Sequence, residues 1–261
     1  MLSRLLLSYL ALLLFSAYAT AQVGGITAYQ FLNLPNSATL AGMGGHHIAL
    51  ADDDLSLANR NPALLNEQMA KRVAISHAFH PAGISNSYVA YAVHKPKLRM
   101  TFQAGLQYVG YGDFTRRDVT GQDLGSFTAS DYAFTVGVGR QLSERWRLGA
   151  NLKLINSQLA EFSSFALATD IGIHYQDTTG RFGLSIVARN LGRQVSSYND
   201  LREPLPLDIQ IGINRELKYL PFRFSIIYRM LNRWNILYDD PNDEDTSIFV
   251  GFDQQADERG A

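Results

Sequence analysis

Apolar and polar residues alternate along most of this chain with a period of two, the spacing that puts successive side chains of an extended strand on opposite faces. Met100, Phe102, Ala104, Leu106 and Tyr108 fall on one side of such a strand, and Thr101, Gln103, Gly105 and Gln107 on the other. Tyr132, Phe134, Val136 and Val138 stand likewise against Ala133, Thr135, Gly137 and Gly139. Trp146, Leu148, Ala150, Leu152 and Leu154 oppose Arg145, Arg147, Gly149, Asn151 and Lys153. A helical period of 3.6 fits these runs poorly. Further strands are predicted over 167–175, with Asp170 and His174 opposite the apolar face, over 182–188, over 207–213, with Asp208, Gln210 and Asn214 opposed, over 222–228 and over 248–252. With 73–80 and 86–94, the pattern predicts about ten strands.

The same alternation suits a soluble sandwich, whose apolar face is the core, and a membrane barrel, whose apolar face meets lipid. Three features point to the barrel. The predicted strands reach roughly 9–11 residues, enough to cross a bilayer when tilted. Tyr88, Tyr91, Tyr108, Tyr111, Tyr132, Tyr175, Tyr219 and Tyr228 stand toward strand ends, where an interfacial aromatic girdle would lie. The opposed face carries Arg, Lys, Asp and Gln beside Gly, as a hydrated or plugged interior would. Short links at 95–97, 142–144, 177–180 and 220–221 alternate with longer polar links at 110–130, 192–206 and 232–246. Short turns on one rim and long loops on the other are how outer-membrane barrels are organised. The expected fold class is all-β, a transmembrane antiparallel β-barrel.

Export agrees with this. Arg4, the apolar run 5–17 and the small-residue exit Ala19-Thr20-Ala21 read as a secretory signal peptide over 1–21, with the mature chain starting at Gln22. No stretch of about 18 uncharged apolar residues follows, so any membrane span is made of strands. Removing Arg4 from the 23 Lys+Arg leaves 22 against 24 Asp+Glu, a net charge of −2. A nucleic-acid partner normally requires a basic footprint, and none is present. With no Cys there is neither a disulfide framework nor a thiolate metal site. No linker divides 70–261, which is taken as one barrel domain.

Residues 22–69 do not alternate and are too polar to span lipid. Ser37 is placed to cap a short helix through 38–43, which Gly44 and Gly45 would end. The segment is expected to fill or cross the barrel mouth as a plug. Asn61-Pro62-Ala63 reads as a turn closing it, and Asp52-Asp53-Asp54 as a solvated acidic turn without the ligand spacing of a calcium loop. His46 and His47 are adjacent, point apart when extended, and have no third ligand at useful spacing. Nothing selects His77, His80, His94 or His174 as a catalytic base, and no nucleophile elbow, zinc-protease motif or P-loop occurs. Arg145, Arg147, Lys153, Asp170 and Asp208 are expected to face the interior and pair with each other and with the plug. Arg116 and Arg117, beside Phe114 and Asp118, are candidates for docking a partner. No catalytic, cofactor or metal site is assigned.

Several runs carry a family resemblance. Leu34-Pro35-Asn36-Ser37-Ala38, Ala41-Gly42-Met43-Gly44-Gly45, Ile48-Ala49-Leu50-Ala51-Asp52-Asp53 and Asn61-Pro62-Ala63-Leu64 resemble the amino-terminal region of FadL-like outer-membrane barrels. Gln22-Val23-Gly24-Gly25 with 29–35 is most similar to the PorQ-like barrels of the Bacteroidota type IX secretion system. The detailed likeness covers roughly the first fifth of the chain. It implies a fourteen-stranded outer-membrane barrel, non-enzymatic and without a cofactor, that holds a PorZ-like surface protein within a cargo-attachment complex. Ten strands ending at Asp257-Glu258-Arg259-Gly260-Ala261, without a terminal aromatic, lead to the expectation of a truncated carboxyl end. Two other functions compete with the anchor: a FadL-like transporter of hydrophobic small molecules and a soluble periplasmic β protein.

Overall fold

Strands form wherever the period-two runs occur, and they follow one another in space in the order of the chain. The computed structural model describes residues 27–198 and 201–232. It contains β1 (Val73–Phe79), β2 (Ser85–Lys95), β3 (Met100–Arg117), β4 (Asp123–Gln141), β5 (Trp146–Leu159), β6 (Phe162–Gln176), β7 (Phe182–Ser196), β8 (Asp208–Glu216) and β9 (Arg223–Tyr228). All pair antiparallel with their sequence neighbours in a single sheet of order β1 to β9. β1 and β9 are its edges, so among the described residues the sheet is open rather than closed into a ring. The signal peptide, residues 22–26 and the tenth predicted strand at 248–252 lie outside the described residues.

One of the predicted long links is mostly strand instead, and a second is strand at its start. Most of 110–130 belongs to a tall β3–β4 hairpin, which continues past two irregularities, at Gly110/Asp113 and Thr115/Arg117. Phe114 stacks on Phe127 at 5.2 Å, and Arg116 reaches Glu161 at 2.7 Å. Asp118 accepts hydrogen bonds from the Thr120 and Gln122 amides at 2.8 and 2.9 Å, closing the turn. β7 likewise runs on to Ser196. Both faces of these extensions are largely wet, so they lack the alternation that marks a strand with one buried face.

Burial along the strands is inverted relative to a water-soluble sheet. On β5, Asn151 and Lys153 are 1 and 2 % exposed while Leu152 and Leu154 are 52 and 39 % exposed. Gln103, Gln107, Thr135, Asp170, His174, Arg189, Asp208 and Gln210 are all buried. Phe102, Leu106, Phe134, Val136, Leu148, Ile171, Ile186 and Ile213 are all exposed. Every residue that the alternation assigned to the polar side of β3, β4, β6 and β8 is on the covered face.

The covering is the amino-terminal segment. It holds one short helix, α1 (Ala38–Gly42), and single turns of 3-10 helix at Gln30–Asn33, Leu55–Asn59, Pro62–Leu64 and Glu67–Met69. The Leu40 amide donates to Ser37 Oγ at 3.2 Å, the expected cap. The Gly45 amide closes the helix on the Leu40 carbonyl at 2.7 Å, with Gly44 and Gly45 both at positive φ. Asp54, Asn61 and Asn66 cap the later turns through the Ser56, Ala63 and Gln68 amides. These side chains satisfy backbone donors that such short helices leave open, much of it away from water. Leu40, Leu57 and Leu64 form one apolar cluster inside the segment, and Leu55, Ala58, Leu65 and Met69 form another against Tyr88, Ala90 and Ala92 of β2.

Candidate functional site

Glycines on the covered face let the segment's backbone reach the sheet. Gly139, Gly149 and Gly172 are direct cross-strand neighbours on β4, β5 and β6. A Cβ on Gly149 would fall 2.2 Å from the Pro62 carbonyl carbon, and one on Gly172 2.2 Å from Asn61 Oδ1. On Gly139 it would fall 2.5 Å from Leu65 Cβ, and on Gly212 of β8 2.7 Å from Ile48 Cγ1. Asn61 donates from Nδ2 to the Ile48 carbonyl at 2.8 Å and to Ser185 Oγ at 3.1 Å. Asn61-Pro62-Ala63 is therefore the turn that was expected and also the point where the segment seats on the wall. His174 meets the same Ser185 hydroxyl at 2.8 Å.

Beside this seat lies a buried charged network. Lys153 Nζ contacts both Asp170 oxygens, at 2.7 and 2.9 Å, and donates to Asn190 Oδ1 at 3.0 Å. Asp170 also accepts from the Asn190 amide at 2.8 Å and from Asn151 Nδ2 at 3.2 Å. Asn151 reaches on to the Ala58 carbonyl at 3.3 Å, tying wall to segment. Asp208 accepts from Arg229 Nη2 at 2.8 Å, Gln210 Nε2 at 2.6 Å and the Met230 amide at 2.8 Å. The pairing expected between Lys153 and Asp170 is thus present, whereas Asp208 pairs with Arg229 and not with that set or with the segment.

Two arginines the sequence reading did not single out complete the network. Arg60, in the segment, and Arg189, on β7, are each 1 % exposed. Arg60 Nη2 donates to the Asn33 and Leu34 carbonyls at 2.8 and 2.5 Å, and Arg189 Nη2 to the adjacent Leu32 carbonyl at 3.2 Å. The available sequence signal for Arg189 was its phase, since Gly183, Ser185, Val187 and Arg189 all fall on the covered face. Arg60 had no such signal.

Other candidates lie elsewhere. Arg145 is exposed in the β4–β5 turn, not on the covered face, because β5 begins only at Trp146. Arg147 is half-buried at that rim, lining a cleft of about 330 Å³ with Glu67, His94 and Glu144. Tyr88 is buried on the covered face and Tyr111 donates to Asp131 at 2.5 Å, so neither belongs to an outer aromatic girdle. Asp53 pairs with Arg72 at 2.6 Å in solvent. His77 and His94 each bond a neighbouring hydroxyl, at 2.7 Å to Ser87 and 2.9 Å to Thr101. Among the described residues no three His, Asp or Glu side chains gather as a metal cage. In the segment, His47 accepts the Leu50 amide at Nδ1 and meets Ser225 Oγ at 2.8 Å from Nε2, the pattern of a neutral ring. Burial, reinforced by Arg223, lowers its pKa. Burial and then Arg229, Arg60 and Arg189 lower that of His46 to about 4.

No family model and no curated protein matches this chain.

Proposed function

We propose that this chain is the wall and plug of an outer-membrane β-barrel that serves as a non-enzymatic anchor for a surface protein. The observation that carries the reading is the inverted burial, with charged and amide side chains inside and Phe, Leu, Ile and Val outside. Water would penalise that outer face by about 25 cal/mol for each Å² of apolar surface left wet, whereas acyl chains would not. Its height fits a bilayer. Trp146 and Tyr175 pack at 5.0 Å near one rim, and Tyr108 and Tyr132 pack at 4.8 Å toward the other. Tyr132 pairs with Asn156, ten steps along β5 from Trp146, or about 33 Å of strand. A tilt of about 40° projects this to roughly 25 Å, the usual height of a barrel's apolar band.

Anchoring is favoured over transport by how the covered face is filled. The segment's backbone lies against the wall at the glycines, and Asn61, Asn151 and Arg189 bind wall and segment together. The PorQ-like resemblance of residues 22–64 supports a role in type IX secretion with a PorZ-like surface partner. Affinity capture of the detergent-solubilised full chain from its own envelope tests this. Recovery of a surface-exposed cargo-attachment protein is expected, and its absence would contradict the reading. The second reading, a conduit for hydrophobic small molecules, has in its favour a cleft of about 530 Å³ lined in part by Leu191, Pro204, Leu205 and Leu207. Uptake of a labelled fatty acid by cells expressing the chain would favour it.

A further inference from the structure

The buried charges beneath the segment do not balance. Arg60 and Arg189 lie within Coulombic reach of each other, of Arg229 and of Lys153, and the carboxylates among them are Asp170 and Asp208. Among the described residues four cations thus face two anions. Both carboxylates are already occupied: Asp170 by Lys153, Asn151 and the Asn190 amide, and Asp208 by Arg229, Gln210 and the Met230 amide. Although Arg189 and Asp208 are directly opposite in the β7–β8 register, the Asp208 carboxylate is turned to Arg229.

What is left over is directional as well as charged. Each of Arg60 and Arg189 spends only Nη2 on the protein, on the consecutive carbonyls of residues 32–34. Their Nε and Nη1 groups, all buried, have no acceptor among the described residues. Nε and Nη1 of the two guanidiniums are four nitrogens left to donate, and His46 Nδ1, within Coulombic reach, is also unpartnered among the described residues. Nε and Nη1 lie on different edges of the guanidinium plane, so each donates singly, and an oxyanion held between two such planes gathers a charge-assisted hydrogen bond from each. Buried charge left uncompensated is among the costliest arrangements in a folded protein.

We propose that Arg60 and Arg189 form a buried site for a small divalent oxyanion of the phosphate or sulfate class, held between the amino-terminal segment and β7. Two negative charges cancel the surplus of two. At 1 % exposure the guanidiniums leave no surface for a bulky ester or lipid headgroup, so the ligand is a free inorganic ion enclosed when the segment seats. The ion acts as a rivet, because one arginine belongs to the segment and the other to the wall. The site rests on the interior alone and is independent of what the outer face contacts or which partner is anchored.

The test is thermal unfolding of the solubilised full chain in a phosphate titration, with ionic strength held constant by chloride. A saturable rise in the midpoint is expected with phosphate and sulfate and not with glycerol 2-phosphate. Each of Arg60→Gln and Arg189→Gln is expected to weaken the response about tenfold, the worth of a charge-assisted hydrogen bond. Arg116→Gln, on the exposed hairpin, should leave it unchanged. No saturable rise, or the same rise in the Arg60→Gln/Arg189→Gln double variant, overturns the proposal, and so does equal binding of the ester. Should the variants fail to fold, crystals of the unchanged chain soaked in selenate decide. Anomalous density between the two guanidiniums supports the site, whereas its absence there, or a carboxylate of residues 233–261 in its place, overturns it.

Discussion

At the scale of single residues, the Lys153–Asp170 pair shows what a polar interior demands. Both side chains are essentially unexposed, at 2 and 0 %. Removing one partner strands a charge in the dry interior, which costs about 3–5 kcal/mol, while removing both costs much less. Lys153→Met is therefore expected to lower stability by that amount in denaturant unfolding, and Lys153→Met/Asp170→Asn to recover most of it. Equal losses in the single and double variants would show that the pair is not a coupled unit. Lys153 and Asp170 were legible in the sequence because each sits in phase on the polar side of an alternating run. Arg60 was not, because it lies where no period exists, and its burial depends on carbonyls 26 and 27 residues away. Tyr88 misled for the opposite reason. Its phase places it on the covered face, beneath Met69 and Leu55, but aromatic identity near a strand end reads as a girdle.

At the scale of elements, the strands were legible and their lengths were not. Alternation locates β2 to β8 wherever one face is covered, and it stops where the β3–β4 hairpin leaves that cover. The seat of the segment was visible only as unexplained glycines in good strands. Gly149→Val is expected to unseat it, since a side chain there meets the Pro62 backbone. Limited proteolysis should then cut within 46–66 while the sheet persists by circular dichroism. Unchanged protection would contradict the seating. Acid should loosen the same segment through His46 and His47. Their pKa values are lower folded than unfolded, so the unfolded state binds more protons between the two. The stability they confer is complete above about pH 6.5 and is lost as pH falls toward about 4. Unfolding midpoints measured at pH 7, 5.5 and 4.5 should fall in that order, and His47→Gln should flatten the trend. The carboxylates of Asp118 and Asp177, lowered mainly by the Thr120 and Thr179 hydroxyls, affect only the more acid range.

At the scale of the whole molecule, one inversion organises everything else. Polar side chains are sequestered with a segment that caps, pairs and seats on them, and apolar side chains are turned out over a band that matches a bilayer in height. The all-β antiparallel sheet and the face assignment followed from the period. The polarity of each face left its environment open, because a soluble sandwich has the same period, and exposure of Leu152 beside burial of Lys153 is the observation on which the proposed lipid-facing wall rests. The most direct measurement is therefore what the outer face touches. The full chain, inserted into vesicles whose acyl chains carry a diazirine, is irradiated and its adducts are mapped by mass spectrometry. Adducts are predicted at Phe134, Val136, Leu148, Leu152 and Leu154, alternating with unmodified Thr135, Asn151 and Lys153. Adducts spread evenly over both faces, or a chain that stays in the aqueous phase without any, would contradict the account.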